Sequence, residues 1–273
     1  MQKSLKVLLV LICTVGSIAW AQNTGVMTTK IEEKSPWEPS MLMGLKSFND
    51  SGRITDMNNP NGRTLKAKQE VYLGAKAANG WGGYAQMVQT ANGNNNPSND
   101  KWSVGDPSIT LLHPTIYDGV SWRVWGQYRQ YFPLSDRSKS LNQYQSAYYL
   151  YFTARLNETD NVFNQFTPRY FTQSTYAPTD TKLYFEDRTA LSHKVSSWFR
   201  FGFGQWSQYE THAATAAGTS VEVFPYADFI VSKNIYFGPR LQMPVYMQNS
   251  VYDGPRAVAT DNMLAEIYFE AAL

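Results

Sequence analysis

Polar and apolar residues alternate in about a dozen stretches of this chain, and the clearest stretch ends at Leu156. One parity is mostly apolar: Tyr144, Ser146, Tyr148, Leu150, Phe152, Ala154 and Leu156. The other parity is mostly polar: Gln143, Gln145, Tyr149, Tyr151, Thr153 and Arg155. A β-strand turns successive side chains to opposite faces, so this stretch predicts a strand with one apolar and one polar face.

Twelve segments of this kind follow one another through most of the chain. They cover approximately residues 37–49, 63–77, 80–91, 101–112, 115–132, 141–156, 161–173, 181–190, 195–210, 218–231, 234–248 and 260–273. The polar stretches between them alternate in length. The long ones are 49–62, 92–100, 133–140, 173–180, 211–217 and 249–260, and the short ones are 78–79, 113–114, 157–160, 191–194 and 232–233. Short turns opposite long loops are typical of barrels that face lipid outside and water inside. The sequence therefore predicts an all-β fold, a transmembrane antiparallel up-and-down β-barrel of about 12 strands over residues 37–273.

The beginning of the chain predicts export. Lys3 and Lys6 precede a mostly apolar stretch from Val7 to Ile18, and Ala19-Trp20-Ala21 is a small-x-small cleavage site. The apolar stretch is shorter than the roughly 20 residues that a spanning helix needs. We therefore expect residues 1–21 to be a cleaved signal peptide and the polar residues 22–36 to be a periplasmic leader.

Composition narrows the classes of partner. Cleavage would remove two of the 24 Lys+Arg, which leaves 22 basic and 22 acidic residues. A zero balance argues against nucleic acid, which needs a basic face. Tyr, Phe and Trp form 15% of the chain, which suits the aromatic girdles that contact lipid headgroups. The sequence has no phosphate-binding glycine loop and no paired Cys/His spacing, so we expect neither a cofactor nor a metal.

The last predicted strand resembles the C-terminal segment of bacterial outer-membrane proteins. One face has Met263, Ala265, Ile267, Phe269, Ala271 and Leu273, and the other has Leu264, Glu266, Tyr268 and Glu270. That family usually ends in Phe or Trp, whereas this chain ends in Leu273. The resemblance implies location in the outer membrane of a diderm bacterium, with lipid around the barrel. A monomer is the default for a small barrel, and a trimer is the alternative.

The polar parity would line the lumen of such a barrel. The residues predicted to line it are Lys66, Lys68, Glu70, Arg123, Arg129, Arg155, Arg169, Arg188, Arg200, Glu222, Asp228, Arg240 and Glu266. This set is more basic than the chain overall, and arginine favours carboxylate and phosphate groups. In this respect the chain is similar to small twelve-stranded porins that pass acidic oligosaccharides along arginine tracks. The sequence thus predicts a passive channel for small polar, and in particular anionic, solutes. The other interpretation is that these charges pair across strands and serve only the wall.

Large and small residues on the same parity affect the width of the lumen. Trp125, Tyr149, Tyr151, Trp206 and Tyr226 would fill space there or contact a sugar ring. Gly202 and Gly204 provide strand curvature or room for a neighbouring ring.

Two other classes of function stay open. One is a closed structural or adhesion barrel that acts through its outer loops. The other is a hydrolase at the outer rim, for which the histidines are His113, His193 and His212. Ser192 precedes His193 directly, and His212 could be served by Glu210, Asp136 or Asp180. No motif constrains these pairs, so we expect no enzymatic activity.

Some residues conflict with a regular barrel. Pro168, Pro225, Pro239 and Pro244 fall within predicted strands, so we expect bulges or strand ends there. Asp187 takes the lipid parity, and we expect it near the membrane interface, because charge on that face is costliest at the midplane. Gly105-Asp106-Pro107 is expected to bend the fourth strand.

Overall fold

The structure is a computed structural model that describes residues 39–51, 63–94, 101–248, 253–255 and 263–272. The predicted signal peptide (1–21) and leader (22–36) lie outside the described residues. In chain order the elements are β1 (Pro39–Ser51), β2 (Arg63–Ala77), β3 (Gly82–Asn94), β4 (Lys101–Val104), β5 (Ser108–Leu112), β6 (Tyr117–Asp118), β7 (Trp122–Tyr131), α1 (Asp136–Leu141), β8 (Tyr144–Arg155), β9 (Asp160–Thr172), β10 (Thr181–Lys194), β11 (Phe199–His212), β12 (Gly218–Ser232), β13 (Ile235–Gln248), β14 (Asp253–Pro255) and β15 (Leu264–Ala272).

Twelve antiparallel strands form one closed ring. Their order is β12-β11-β10-β9-β8-β7-β5-β3-β2-β1-β15-β13, and β13 pairs back with β12. The first and last of these strands in the chain are neighbours, with Lys46 of β1 opposite Glu270 of β15. A closed ring leaves no strand edge with unpaired backbone groups, which is what a sheet surrounded by lipid requires. The prediction of a twelve-stranded up-and-down barrel is confirmed.

The strand connections lie at two ends of the barrel, which we name the short-turn end and the long-loop end. The sequence predicts a short turn at Leu191 to Lys194, but these residues continue β10 and pair with β11. The chain reverses at residues 195–198 instead. Since every one of the four residues has a partner on β11, the strand gains backbone hydrogen bonds by continuing, and that predicted turn is wrong in position.

The predicted turn at His113 and Pro114 is also displaced. These residues interrupt the strand, and β6 then continues it alongside β7, with Tyr117 opposite Val124. The chain reverses at residues 119–121. A proline lacks the N–H that a strand ladder uses, so it can break the ladder without reversing the chain.

Gly105-Asp106-Pro107 separates β4 from β5, in agreement with the predicted bend in the fourth strand. β4 and β5 both pair with β3, at Val104 opposite Gln89 and at Ser108 opposite Gln86.

The long connection after β7 contains the short helix α1, which the alternation did not predict. The Ser135 side chain caps α1 by accepting a hydrogen bond from the Ser138 backbone N–H.

The four prolines fit the barrel in two ways. Pro244 lies beside a register shift between β12 and β13, in agreement with the predicted bulge. Pro168, Pro225 and Pro239 lie inside strands, so the expectation of a bulge or strand end is wrong for them. Each faces a gap in one ladder; for example, the pairing of β8 with β9 skips the residues around Pro168. The missing N–H therefore removes no paired bond on that side.

The outer surface of the barrel is apolar. Large exposed side chains on this parity include Met41, Leu73, Met87, Ile109, Leu111, Phe203 and Ile267. Asp187 is an exception on this face, and it is at the middle of the 14-residue strand β10. That it lies near the membrane interface stays a prediction. Within the part of the chain that the structure describes, no helix is long and apolar enough to cross a membrane.

Candidate functional site

The strand register identifies the inner wall of the barrel. Residues directly opposite one another on neighbouring strands point to the same side. One such row joins Arg129, Ala147, Arg169, Tyr184 and Glu210 on β7 to β11. This parity also holds most of the buried residues: Gln86, Ser108, Thr110, Gln127, Ala147, Tyr149, Thr167, Glu186, Asp228, Glu266 and Tyr268. The inner wall is therefore polar, and many of its side chains contact each other closely.

All thirteen residues predicted to line the lumen lie on this inward parity. They are Lys66, Lys68 and Glu70 on β2; Arg123 and Arg129 on β7; Arg155 on β8; Arg169 on β9; Arg188 on β10; Arg200 on β11; Glu222 and Asp228 on β12; Arg240 on β13; and Glu266 on β15. They are distributed around the wall rather than gathered at one point. Arg155 is exposed near the short-turn end, where its Nε donates to the Asn157 carbonyl oxygen at 3.2 Å.

Most of these charges form ion pairs within the wall. The nitrogen–oxygen distances are 2.5 Å for Lys68–Glu70, 2.8 Å for Arg169–Glu186, 3.1 Å for Arg188–Glu186, 2.7 Å for Arg200–Asp228 and 3.6 Å for Arg240–Glu266. Arg123 is 3.7 Å from Asp118 in an exposed pair. The interpretation of charges paired across strands therefore holds for much of the wall. The Arg169, Arg200 and Arg240 pairs each join two neighbouring strands of the wall, whereas Lys68–Glu70 and Arg188–Glu186 lie within β2 and β10.

Three arginines on β7, β9 and β10, namely Arg129, Arg169 and Arg188, form a group that we name the arginine patch. Arg169 and Arg188 share a single carboxylate, that of Glu186. No Asp or Glu among the described residues lies within 4 Å of the Arg129 guanidinium. The arginine patch therefore has three positive groups and one contacting negative group.

Hydroxyl groups and aromatic rings surround Arg129 in place of a carboxylate. Its guanidinium donates to Thr110 Oγ1 at 3.0 Å, to Tyr84 Oη at 2.8 Å and to Tyr131 Oη at 3.3 Å. The ring of Tyr149 is 4.7 Å from the guanidinium carbon. Neutral oxygen acceptors and π faces stabilise a cation without cancelling its charge.

The inward aromatic residues are held against the wall. Trp125 and Tyr151 stack at 5.2 Å, and Arg188 lies 3.9 Å from the Trp206 ring centroid. Gly202 provides room for the ring of Tyr226, because a side chain at that position would overlap it. Gly204 provides room for Phe224 in the same way. Of the two predicted roles for these glycines, the structure shows room for a neighbouring ring.

Some residues of the wall are absent from the predicted set. Lys46 pairs with Glu270 at 3.1 Å, and Tyr84 and Tyr131 bind Arg129. All four side chains lie on the inward parity of strands that the alternation predicts. The parity alone could have identified them, whereas their partners follow only from the closed ring.

The long-loop end has a small cavity of about 280 Å³ beside α1. It is lined by Asp106, Ser135, Arg137, Ser138, Gln143, Phe171 and Thr181. Asp106 Oδ1 accepts hydrogen bonds from the backbone N–H groups of Leu134 and Ser135 and from Ser138 Oγ. Burial raises the pKa of the Asp106 carboxyl, but these hydrogen bonds outweigh burial and hold the pKa below its usual value. Asp106 thus anchors the loop that contains α1.

The histidines do not assemble a nucleophile with a base. Ser192 Oγ donates to the Asn161 carbonyl oxygen on the inward side, whereas His193 points outward and contacts Asp160 at 2.7 Å. Neighbouring residues on a strand point to opposite faces, which separates Ser192 from His193. His113 Nε2 contacts Tyr148 Oη at 2.5 Å.

His212 is 3.7 Å from Glu210, and no described contact joins it to a serine. The described residues also hold no group of three His, Cys, Asp or Glu side chains placed to bind a metal.

Comparison with known proteins shows relatives in structure but not in sequence. No family model and no curated protein matches this chain. An outer membrane channel from Pseudomonas putida F1 aligns with a TM-score of 0.57 and 11% identity, covering 91% of this chain and 100% of that one. The NanC porin aligns with a TM-score of 0.50 and 10% identity, covering 84% of this chain and 98% of that one. The chain therefore has the fold of outer-membrane channel and porin barrels.

Proposed function

We propose that this protein is an outer-membrane channel through which small polar solutes diffuse passively, with a preference for anions. The observation that carries the proposal is the net positive charge of the arginine patch. Arg169 and Arg188 share the carboxylate of Glu186, whereas Arg129 is bound by hydroxyl oxygens. The fold shared with outer-membrane channels supports the same class of function. In this proposal the barrel lies in outer-membrane lipid after export through a cleaved signal peptide.

The arginine patch would act through its field and its hydrogen bonds. Fixed positive groups on a low-dielectric wall raise the local concentration of anions. A guanidinium also presents a rigid fork of donors that matches a carboxylate or a phosphate. The side chain of Arg188 is 33% exposed, so it is the member of the patch that is best placed to meet a solute.

The size of the barrel suits this role. Eight strands enclose a space that side chains fill, and sixteen leave a wide aqueous channel. Twelve strands lie between these limits, so wall charges would be within a few ångströms of any solute that passes. One chain closes the whole ring, so each barrel would conduct on its own.

The proposal is tested by recording single channels in planar bilayers under a KCl gradient. We expect steady conductance and a reversal potential that reports anion preference. Recording at about 0.1 M salt, where the screening length is about 10 Å, keeps the wall charges effective. Arg188→Gln should move the reversal potential toward zero, and it leaves Glu186 paired with Arg169.

Arg155→Gln is the matched control, because it removes the same charge from an exposed position near the short-turn end, away from the arginine patch. It should leave the reversal potential nearly unchanged. A barrel that never conducts would overturn the channel and favour a closed barrel that acts through its loops. Conductance with equal selectivity in both variants would overturn the role of the arginine patch alone.

A further inference from the structure

A connected set of polar side chains lies on the outer face of the barrel, and we name it the Asp187 cluster. It consists of Asn164 on β9, Asp187 and Thr189 on β10, and Gln205 and Ser207 on β11. Asn164 Nδ2 donates to Asp187 Oδ1 at 2.6 Å, and Gln205 Nε2 donates to Asp187 Oδ2 at 2.7 Å. Thr189 Oγ1 also donates to Asp187 Oδ2, and Ser207 Oγ donates to Gln205 Oε1 at 2.7 Å.

The Asp187 cluster is far from both ends of the barrel wall. Asp187 is at the middle of its 14-residue strand, directly opposite Phe166 on β9 and Ser207 on β11. Exposed apolar side chains surround the cluster: Phe166, Leu191, Phe203 and Tyr209 are 40%, 50%, 51% and 43% exposed. The wall therefore presents a polar centre with an aromatic and aliphatic border.

Acyl chains are a poor environment for such a centre. A carboxylate at mid-wall depth loses its hydration, and hydrogen bonds from neutral amides compensate for only part of that loss. All the described hydrogen bonds of Asp187 are with side chains on the outer face, so no positive group of the inner wall contacts its carboxylate. A protein surface that supplies further donors and excludes lipid would stabilise the cluster.

We propose that the Asp187 cluster is the centre of an interface with a second copy of this barrel. A two-fold axis that passes between β10 and β11 would place each Asp187 against Gln205 of the second copy. The Gln205 amide has two protons, and its described hydrogen bond to Asp187 uses one of them. The Asp187 cluster therefore contains an acceptor, the Asp187 carboxylate, and a matching donor, the Gln205 amide, on adjacent strands. This is the self-complementarity that a symmetric dimer requires.

The apolar side chains around the Asp187 cluster also favour an interface with a second copy of this barrel. Phe203 and Tyr209 flank Gln205 and Ser207 on β11. Phe166 is directly opposite Asp187 on β9, and Leu191 follows Thr189 on the outward parity of β10. Around a polar centre, such side chains would pack against their symmetry mates and exclude lipid and water. This interface revises the expectation of a monomer, and it does not depend on whether the barrel conducts.

Cross-linking in native outer membranes tests the interface. In a Cys13→Ser background the chain has no other cysteine, so Ser207→Cys provides a single reactive site near the proposed axis. A short bis-maleimide reagent should convert most of this variant to a species of twice the mass. Gln89→Cys is the matched control, since Gln89 is an exposed polar residue on the outward parity of β3, across the barrel. It should give at least ten-fold less of that species.

Native mass spectrometry of the unlabelled protein gives an independent readout. The wild type should be mainly dimeric, and Asp187→Leu and Gln205→Leu should each reduce the dimer fraction at least five-fold. A monomeric wild type, equal cross-linking of the two cysteine variants, or a cross-linked species with a different protein would each overturn the proposal. Single-channel recording of the monomeric Asp187→Leu barrel separates the two proposals, because a monomer that still conducts shows that the channel function does not require the interface.

Discussion

Arg200 Nε donates a 2.7 Å hydrogen bond to Asp228 Oδ2, and the two residues are directly opposite each other on β11 and β12. Asp228 is only 2% exposed, so the guanidinium replaces much of the hydration that its carboxylate loses. Since β12 and β13 close the ring, this pair fixes the strand next to the closure. The main role of this ion pair is therefore to stabilise the barrel wall rather than to bind a solute.

Arg200→Ala should therefore destabilise the barrel. Removal of one partner from a buried ion pair leaves an uncompensated charge and costs about 3 kcal/mol in the free energy of unfolding. Urea unfolding in lipid vesicles, followed by tryptophan fluorescence, measures the change. The double variant Arg200→Met with Asp228→Leu should recover most of the loss, because no buried charge remains. Equal destabilisation of the single and double variants would contradict this account of the pair.

The period-two alternation was sufficient to predict the fold and the parity of the wall. Each strand shows its two faces in its own sequence, so Arg129 and Arg188 could be assigned to the inner side without a structure. Partners could not be assigned in this way. Lys46 meets Glu270 only because the ring closes, and Glu186 on β10 binds Arg169 of β9, whose register the local sequence does not fix.

The errors in the prediction also have local physical causes. His113 and Pro114 do interrupt the ladder of hydrogen bonds, as the sequence indicated, but the strand continues beyond them and the chain does not reverse there. The hydrogen-bond partners of Asp187 come from β9 and β11, so the local sequence of β10 does not show them. Helix α1 depends on Asp106, which anchors it from a different connection.

The glycines of β11 provide a second prediction. A side chain at Gly204 would overlap the ring of Phe224, which lies on the neighbouring strand β12. Gly204→Ala should lower the free energy of unfolding by about 1–3 kcal/mol, because the ring has to leave its position. The same urea titration measures it. Adding Phe224→Leu to Gly204→Ala should reduce the loss, and an unchanged loss would mean that the backbone rather than the ring limits the space.

The connection that contains α1 provides a third prediction. Asp106→Ala removes the acceptor for the Leu134 and Ser135 amides and for Ser138 Oγ. The loop should then open, and trypsin should cleave after Arg137 at neutral pH at least ten-fold faster than in the wild type. Ser140→Ala is the control, because Ser140 Oγ bonds only to the Arg137 carbonyl within the same loop among the described contacts. Equal protection in the two variants would show that Asp106 does not hold the loop.

The pH dependence of this loop follows from the same hydrogen bonds. Because they hold the pKa of Asp106 below its usual value of 3.8, the folded loop favours the ionised carboxylate. Its contribution to loop stability is complete above the unfolded pKa and is lost as the pH falls through the lower, folded pKa. Hydrogen exchange at the Leu134 and Ser135 amides, corrected for the intrinsic rate, should therefore stay slow at pH 5 and accelerate as the pH falls below the usual value of 3.8. Acceleration that is complete already at pH 5 would mean that the carboxylate is not stabilised in the folded loop. Asp106→Asn, which keeps an acceptor without the charge, should show exchange that no longer depends on pH in this range.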